Sequence, residues 1–153
     1  TVHAFIVVNH AGNVVTYRSH TGIIIFIQNA PIIWFSKRQN AVESASFRNK
    51  HVALRICKEL VMASCHKLQM FGVPIEGATN VYCDNEAVYK NTSISESTLK
   101  KKCHSIAYHK CQETVAAGTI RVAKEGMSTN LSNLFTKLLS LLCREELLDK
   151  FTY

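Results

Sequence analysis

The sequence predicts an α/β fold: a mixed five-stranded sheet, three antiparallel strands followed by parallel additions, with helices on both faces. Three observations predict it. Three short apolar runs near the N-terminus are separated by turn signals. The hydrophobic period then becomes helical from about residue 44 to 71. Two later strand-like runs, 79–83 and 119–124, are set apart by helical stretches, which is how parallel strands are joined.

Each element has a local reason. HAFIVV (3–8) reads as the first strand, and Ala11-Gly12-Asn13 as a turn. GIIIFIQ, centred on Ile23–Ile27, is the second strand; Asn29-Ala30-Pro31 turns the chain into IIWFS (32–36). Such a series of short strands and turns is an antiparallel meander. Val52, Ile56, Leu60, Ala63, Leu68 and Phe71 then fall near helical spacing, and Gly72 and Pro74 end that helix. Thr79–Cys83 is a fourth strand, 85–91 a short helix, and 97–117 a longer helix closed by Gly118. TIRVAK (119–124) alternates in polarity as a fifth strand. A Leu-rich helix is predicted over 130–142, with 144–151 extending or following it. No repeat, low-complexity tract or linker interrupts this order, so residues 1–153 read as one domain; a start at Thr1 without Met suggests a piece of something longer.

Composition narrows the function classes. The formal charge is +7 and the pI about 9.2, which favours polyanionic partners. No Asp or Glu precedes Glu43, so the first 42 residues offer no carboxylate to a metal. The longest apolar run, Ile23–Ile27, is far short of the roughly 20 residues of a membrane span. With no secretory pattern, an intracellular protein with no membrane partner is expected. The six cysteines (57, 65, 83, 103, 111, 143) sit within apolar or helical patterns, as reduced and mostly buried thiols do.

Chemistry is expected where an apolar run ends on an acid. TNVYCDNEAVYKN (79–91) places Asp84 at the C-terminal end of a strand, where α/β folds carry their sites. Other patterns are weaker. Cys103, His104, His109 and Cys111 share one predicted helix, but spacings of eight between the cysteines and five between the histidines do not suit zinc. Cys65-His66 fares no better, and no G-x-S-x-G element supports a serine nucleophile. Trp34 and Phe35 read as core and strand packing rather than a base-stacking platform.

Five stretches, in order, resemble copia-type retroelement polyproteins. IIWFSKRQNAV (32–42) is similar to their I-S-W-x-S-K-K-Q-x-x-V, and FGVPI (71–75) to L-G-I-P. VYCDNEAV (81–88) resembles L-Y-C-D-N-Q-S-A, and IAYHKCQETVAAGTI (106–120) resembles I-D-Y-H-F-V-R-E-x-V-x-x-G-x-I. LSNLFTKLL (131–139) resembles L-A-D-I-L-T-K-x-L. The resemblance spans roughly residues 5–150 and implies a ribonuclease H-like fold. It also implies a chemistry, cleavage of the RNA strand of RNA–DNA hybrids by two Mg²⁺ ions on clustered carboxylates.

Carried over residue by residue, that carboxylate set is largely missing. VVNHAG (7–12) aligns with D-A-D-W-A-G, which puts Val7 and Asn9 at the acids. ASFRNKH (45–51) aligns with S-S-T-E-A-E-Y, which puts Arg48 at the catalytic Glu and Lys50 at the next acid. Asp84 is retained, the acid of L-A-D-I-L-T-K becomes Asn133, and Lys102-Cys103 stands at the family's K-H. Asp84 is thus the sole family acid, with Val7, Arg48 and Asn133 in the other places. Glu43 and Glu86, the nearest acids in sequence, are poor substitutes.

The resulting expectation is a degenerate, inactive ribonuclease H-like domain with no metal site or cofactor. It would retain binding to nucleic acid, an RNA–DNA hybrid or another polyanion, through Arg48, Lys50, Lys100, Lys101 and Lys102, or binding to protein partners. Arg48 is expected to pair with Asp84. Two alternatives stand beside it: an active Mg²⁺-dependent nuclease using Asp84 with other ligands, and a scaffold subunit of a larger assembly.

Overall fold

The computed structural model describes residues 1–10, 12–13, 15–40, 46–93, 105–126 and 128–150. Its order is β1 (Val2–Asn9), β2 (His20–Ile27), β3 (Ala30–Arg38), α1 (Ser46–Met70), β4 (Thr79–Cys83), α2 (Glu86–Ser93), α3 (Ser105–Ala116), β5 (Ile120–Lys124), a 3₁₀ helix (Leu131–Phe135) and α4 (Leu141–Asp149). The sheet order is β3-β2-β1-β4-β5. β1, β2 and β3 are antiparallel, β4 adds to β1 in parallel and β5 to β4 in parallel, as predicted.

Strand alternation divides the side chains between two layers. Val2, Ala4, Ile6 and Val8 of β1 face α1, and they form the main core with Ile23, Ile25, Val81, Ile120 and Val122. α1 supplies Ala53, Leu54, Cys57 and Val61 to it, an i, i+1, i+4, i+8 set that falls on one side of a helix and seats it on the sheet. On the other face Ile24 and Phe26 meet Leu131 and Leu147 in a smaller cluster, with Phe5, Leu134, Phe135, Leu139 and Cys143 packed around it. Helices therefore lie on both faces.

Glycine ends both long helices in the way the sequence suggests. Gly72 and Gly118 have φ of 74° and 69°. In each case the glycine N–H bonds back three residues and the next N–H bonds back five: Gly72 to Gln69 and Val73 to Leu68, Gly118 to Val115 and Thr119 to Thr114. This is the Schellman arrangement, and a glycine adopts its left-handed residue without strain.

Two expectations are corrected. Residues 130–142 do not form one helix. Asn130 caps the 3₁₀ helix, whose end is marked by Thr136 and Lys137 N–H groups bonding to the Asn133 carbonyl. Ser140 then caps α4, accepting from the Cys143 N–H. Capping side chains compete with helix continuation, and two of them divide the Leu-rich stretch. Trp34 is not core: it is 65% exposed. It points to the face opposite α1 from an edge strand, whereas Phe35 packs against the main core. The predicted residues 97–104 and Ala11 of the first turn lie outside the described residues.

Candidate functional site

The parallel register builds the site. β1 and β4 pair with Ile6 opposite Cys83, so the next residues, Val7 and Asp84, stand side by side at the rim of the sheet. Val7 is 1% exposed. α1 crosses this rim, and Lys50 Nζ lies 3.1 Å from Asp84 Oδ1. The two side chains are 16% and 4% exposed, so this is a buried ion pair. Beside it is a cavity of about 10 Å³, room for about one water. Leu54, Cys83 and Val88 line it together with Lys50, Asp84 and Asn85.

Lys50, not Arg48, is the residue brought to Asp84. Two helical positions two apart are separated by about 200° around the axis, so both cannot face the same carboxylate. The pairing expected for Arg48 is therefore corrected by two residues. In the motif alignment Lys50 stands at the second acid of T-E-A-E-Y, and this is the position that the fold aims at the rim.

A polar network that the sequence did not suggest fixes the first turns of α1. Asn49 Nδ2 lies 2.6 Å from His10 Nδ1 and 2.7 Å from Ser19 Oγ. Gln39 Nε2 donates to Thr21 Oγ1 at 2.9 Å and to the Asn49 carbonyl at 3.0 Å. The end of β1, the start of β2 and the end of β3 are thus tied to the residue beside Lys50. These contacts join residues 10 to 39 apart that share no motif, so no sequence signal would have found them.

Asn133 is brought near the same end of β1, but on the other face. Asn130 Nδ2 donates to the Ile6 carbonyl at 3.0 Å, and Asn9 Nδ2 donates to the Thr136 carbonyl at 3.0 Å. Gly22 permits this approach: a Cβ there would stand 2.8 Å from Thr136 Cγ2 and 2.9 Å from the Ser132 carbonyl. Asn133 itself is 2% exposed. Glu86 points away from Asp84. It pairs with Lys90 at 2.7 Å and Lys124 at 3.2 Å, and these bonds hold its carboxyl below the usual range.

The remaining residues singled out from the sequence are dispersed. Lys100, Lys101, Lys102, Cys103, His104 and Glu43 lie outside the described residues. Cys111 is in the main core, and Cys65 contacts Thr79. The five described cysteines are free. Burial, followed by the neighbouring Cys83 and Cys111, pushes the Cys57 thiol up to about 12. Burial also raises Cys83, opposed first by its hydrogen bond to the Asn85 carbonyl. Among the described residues no three His, Cys, Asp or Glu side chains are grouped to hold a metal ion, and no helix is long and apolar enough to cross a membrane.

Known structures share this fold. LC11-RNase H1 in complex with an RNA/DNA hybrid superposes with a TM-score of 0.65 at 13% identity, over 89% of this chain and 94% of that one. RNase H1 from Halobacterium salinarum NRC-1 gives 0.56 at 13% identity, over 97% of both. Two Arabidopsis thaliana proteins match in sequence: the retrovirus-related Pol polyproteins from transposons RE2 and RE1, 25% and 26% identical over 140 residues. The chain is homologous to copia-type Pol polyproteins and has the ribonuclease H-like fold. No protein-family model matches it. The match covers 92% of the chain and about a tenth of the length of either polyprotein. At these identities the solved structures speak for the fold alone.

Proposed function

We propose that this ribonuclease H-like domain of retroelement ancestry binds nucleic acid without cutting it. The observation that carries the reading is the Lys50–Asp84 pair. Two divalent ions beside a phosphate need several carboxylates for charge and oxygen ligands. Here the retained acid has an ammonium as its counter-ion, Val7 offers no donor beside it, and Asn133 is neutral. This donor set does not suit a two-metal centre, and no hydrolytic step is derived through one.

Charge supports the binding half of the reading. The excess is +7, and β3 ends on exposed Lys37-Arg38 while α1 carries exposed Lys67 in its last turn. One structural neighbour is held in complex with an RNA/DNA hybrid, which makes a hybrid the first polyanion to try. Binding of this kind is sequence-tolerant and falls with salt, with a log–log slope of about −0.9 per phosphate neutralised on B-DNA.

The test is a labelled RNA–DNA hybrid incubated with the protein in millimolar Mg²⁺ or Mn²⁺, with binding read by anisotropy and cutting by gel. The expected result is salt-sensitive binding and an intact RNA strand. Metal-dependent cutting that vanishes in Asp84→Ala would overturn the reading. A second reading, a protein-docking role in a larger assembly, is favoured by exposed Trp34, Leu138, Leu141 and Leu142. It predicts self-association or a stable complex, measured by light scattering of the purified chain.

A further inference from the structure

The sheet face opposite α1 carries an aromatic layer that stops one strand short of the edge. His3 of β1 stands opposite Phe26 of β2, and their rings stack with centroids 5.1 Å apart and planes 4° apart. Phe5 stands opposite Tyr82 of β4, and those rings stack at 5.0 Å and 25°. These separations match the strand spacing of about 4.8 Å, so each ring occupies one strand's width. The next residue in the Phe5–Tyr82 row is Ala123 of the edge strand β5. A methyl group stands there where a further ring would continue the stack. Among the described residues Tyr82 has Phe5 stacked on one side, His3 edge-on at 6.3 Å, and Ala123 across from it on β5.

Polar groups flank the same spot. One row away, Arg121 Nε donates to Asn80 Oδ1 at 2.9 Å, which confirms that the two side chains share this face. Arg121 is exposed, and its terminal N–H groups and the Asn80 amide N–H₂ remain as donors to a ligand. The next row along this face is acidic: Glu125, whose N–H extends the ladder to the Cys83 carbonyl, lies one step beyond Ala123 and accepts from Thr129 Oγ1, and Asp84 lies one step beyond Tyr82 and is paired with Lys50. Aromatic surface with an arginine on one side, and on the other carboxylates already engaged by Thr129 and Lys50, suits a planar base whose phosphate lies on the arginine side.

We propose that Tyr82, Ala123, Arg121 and Asn80 form a stacking slot for one base of a single-stranded nucleic acid. The base lies on the outer side of the Tyr82 ring over Ala123, and Arg121 meets the adjacent phosphate. This slot is separate from the hybrid-binding surface proposed above and does not depend on it. A base paired in a duplex is already stacked on its neighbours, so a hybrid cannot enter the slot.

The experiment uses the full chain and a fluorescein-labelled single-stranded DNA of about 12 nucleotides, with an RNA–DNA hybrid of the same length as the second probe. Ala123→Leu fills the slot, Tyr82→Leu removes the ring, and Arg121→Gln removes the charge. Each should weaken single-strand binding about tenfold while hybrid binding stays unchanged. In the parent protein, photocrosslinking with a 5-iodouracil-substituted strand should attach to the peptide containing Tyr82, a readout that no misfolded variant can confuse. A crosslink elsewhere, no single-strand binding by the parent, or full single-strand affinity in folded Ala123→Leu would overturn the slot. Loss of hybrid binding alone would count against the function proposed earlier and leave the slot standing.

Discussion

Asp84 and Glu86 stand two residues apart, and each is paired with lysine, yet the two pairs differ in kind. Asp84 is 4% exposed and is paired with Lys50. Glu86 is 52% exposed and bridges Lys90 and Lys124 on the surface. Water competes for the second pair, and salt screens it. The first is largely withdrawn from water, the carboxylate more than the ammonium, so Asp84 depends on Lys50. A carboxylate at the position that the motif resemblance gives to a catalytic acid is here half of a largely buried pair, whereas its exposed neighbour is an ordinary surface acid.

The largest expected effect comes from breaking the buried pair on one side. Lys50→Ala leaves an uncompensated carboxylate beside Val7, Leu54 and Val88, and should lower unfolding free energy by about 3–5 kcal/mol in urea melts at neutral pH. Asp84→Asn should be milder, because the more exposed Lys50 can turn its ammonium toward water. Equal losses in the two variants would break the comparison.

Cys57 sharpens it from the other direction. A buried group without a counter-ion stays neutral, and this thiol is pushed up to about 12 from 9.0. The folded pKa lies above the unfolded one, so the stabilisation is complete below about pH 9. It is lost as the unfolded chain ionises and pH rises toward 12, up to about 4 kcal/mol across that window. Alkaline denaturation of Cys57→Ser should show a shallower fall between these limits. A parallel curve would contradict the assignment.

Charge reversal then tests which position faces Asp84. Val7→Asp with Lys50→Glu should rebuild an acidic cluster whose melting temperature rises with Mg²⁺, the unfolding free energy gaining about 2.7 kcal/mol at a hundredfold excess over Kd. Val7→Asp with Arg48→Glu should show no such rise, because Lys50 still holds Asp84. The smallest effect belongs to the surface pair. The Glu86 carboxyl is held below 4.5 by Lys90 and Lys124, so its contribution is present above that pH and fades as pH falls through the lowered value. In Glu86→Gln the melting temperature should be unchanged at physiological salt, and a clear loss there would mean the pair is less screened than its exposure implies.

Much of this was legible because the signals were local. Strand runs, the α1 stripe, and Gly72 and Gly118 each encode their own element, and the order of motifs pointed to the fold. The site was legible only as a list of positions. Choosing between Arg48 and Lys50 required knowing which side of α1 meets the rim, and that is settled by Asn49 tied to His10 and Ser19 across the chain. The split between the 3₁₀ helix and α4 was hidden because leucine spacing over 131–142 looks helical, while Asn130 and Ser140 act as caps only in their tertiary setting. Trp34 was misplaced because an apolar strand reads the same whether or not a helix covers both its faces.

The most direct measurement is the melting temperature of the unmodified protein across a Mg²⁺ titration from zero to tens of millimolar, with Asp84→Asn in parallel. A ligand that binds only the folded state must stabilise it. With Lys50 as the counter-ion of Asp84, the account predicts that both proteins respond to Mg²⁺ no more than to an ionic-strength-matched monovalent salt. A Mg²⁺-specific rise in the parent that disappears in Asp84→Asn would show a metal bound at Asp84 and contradict it.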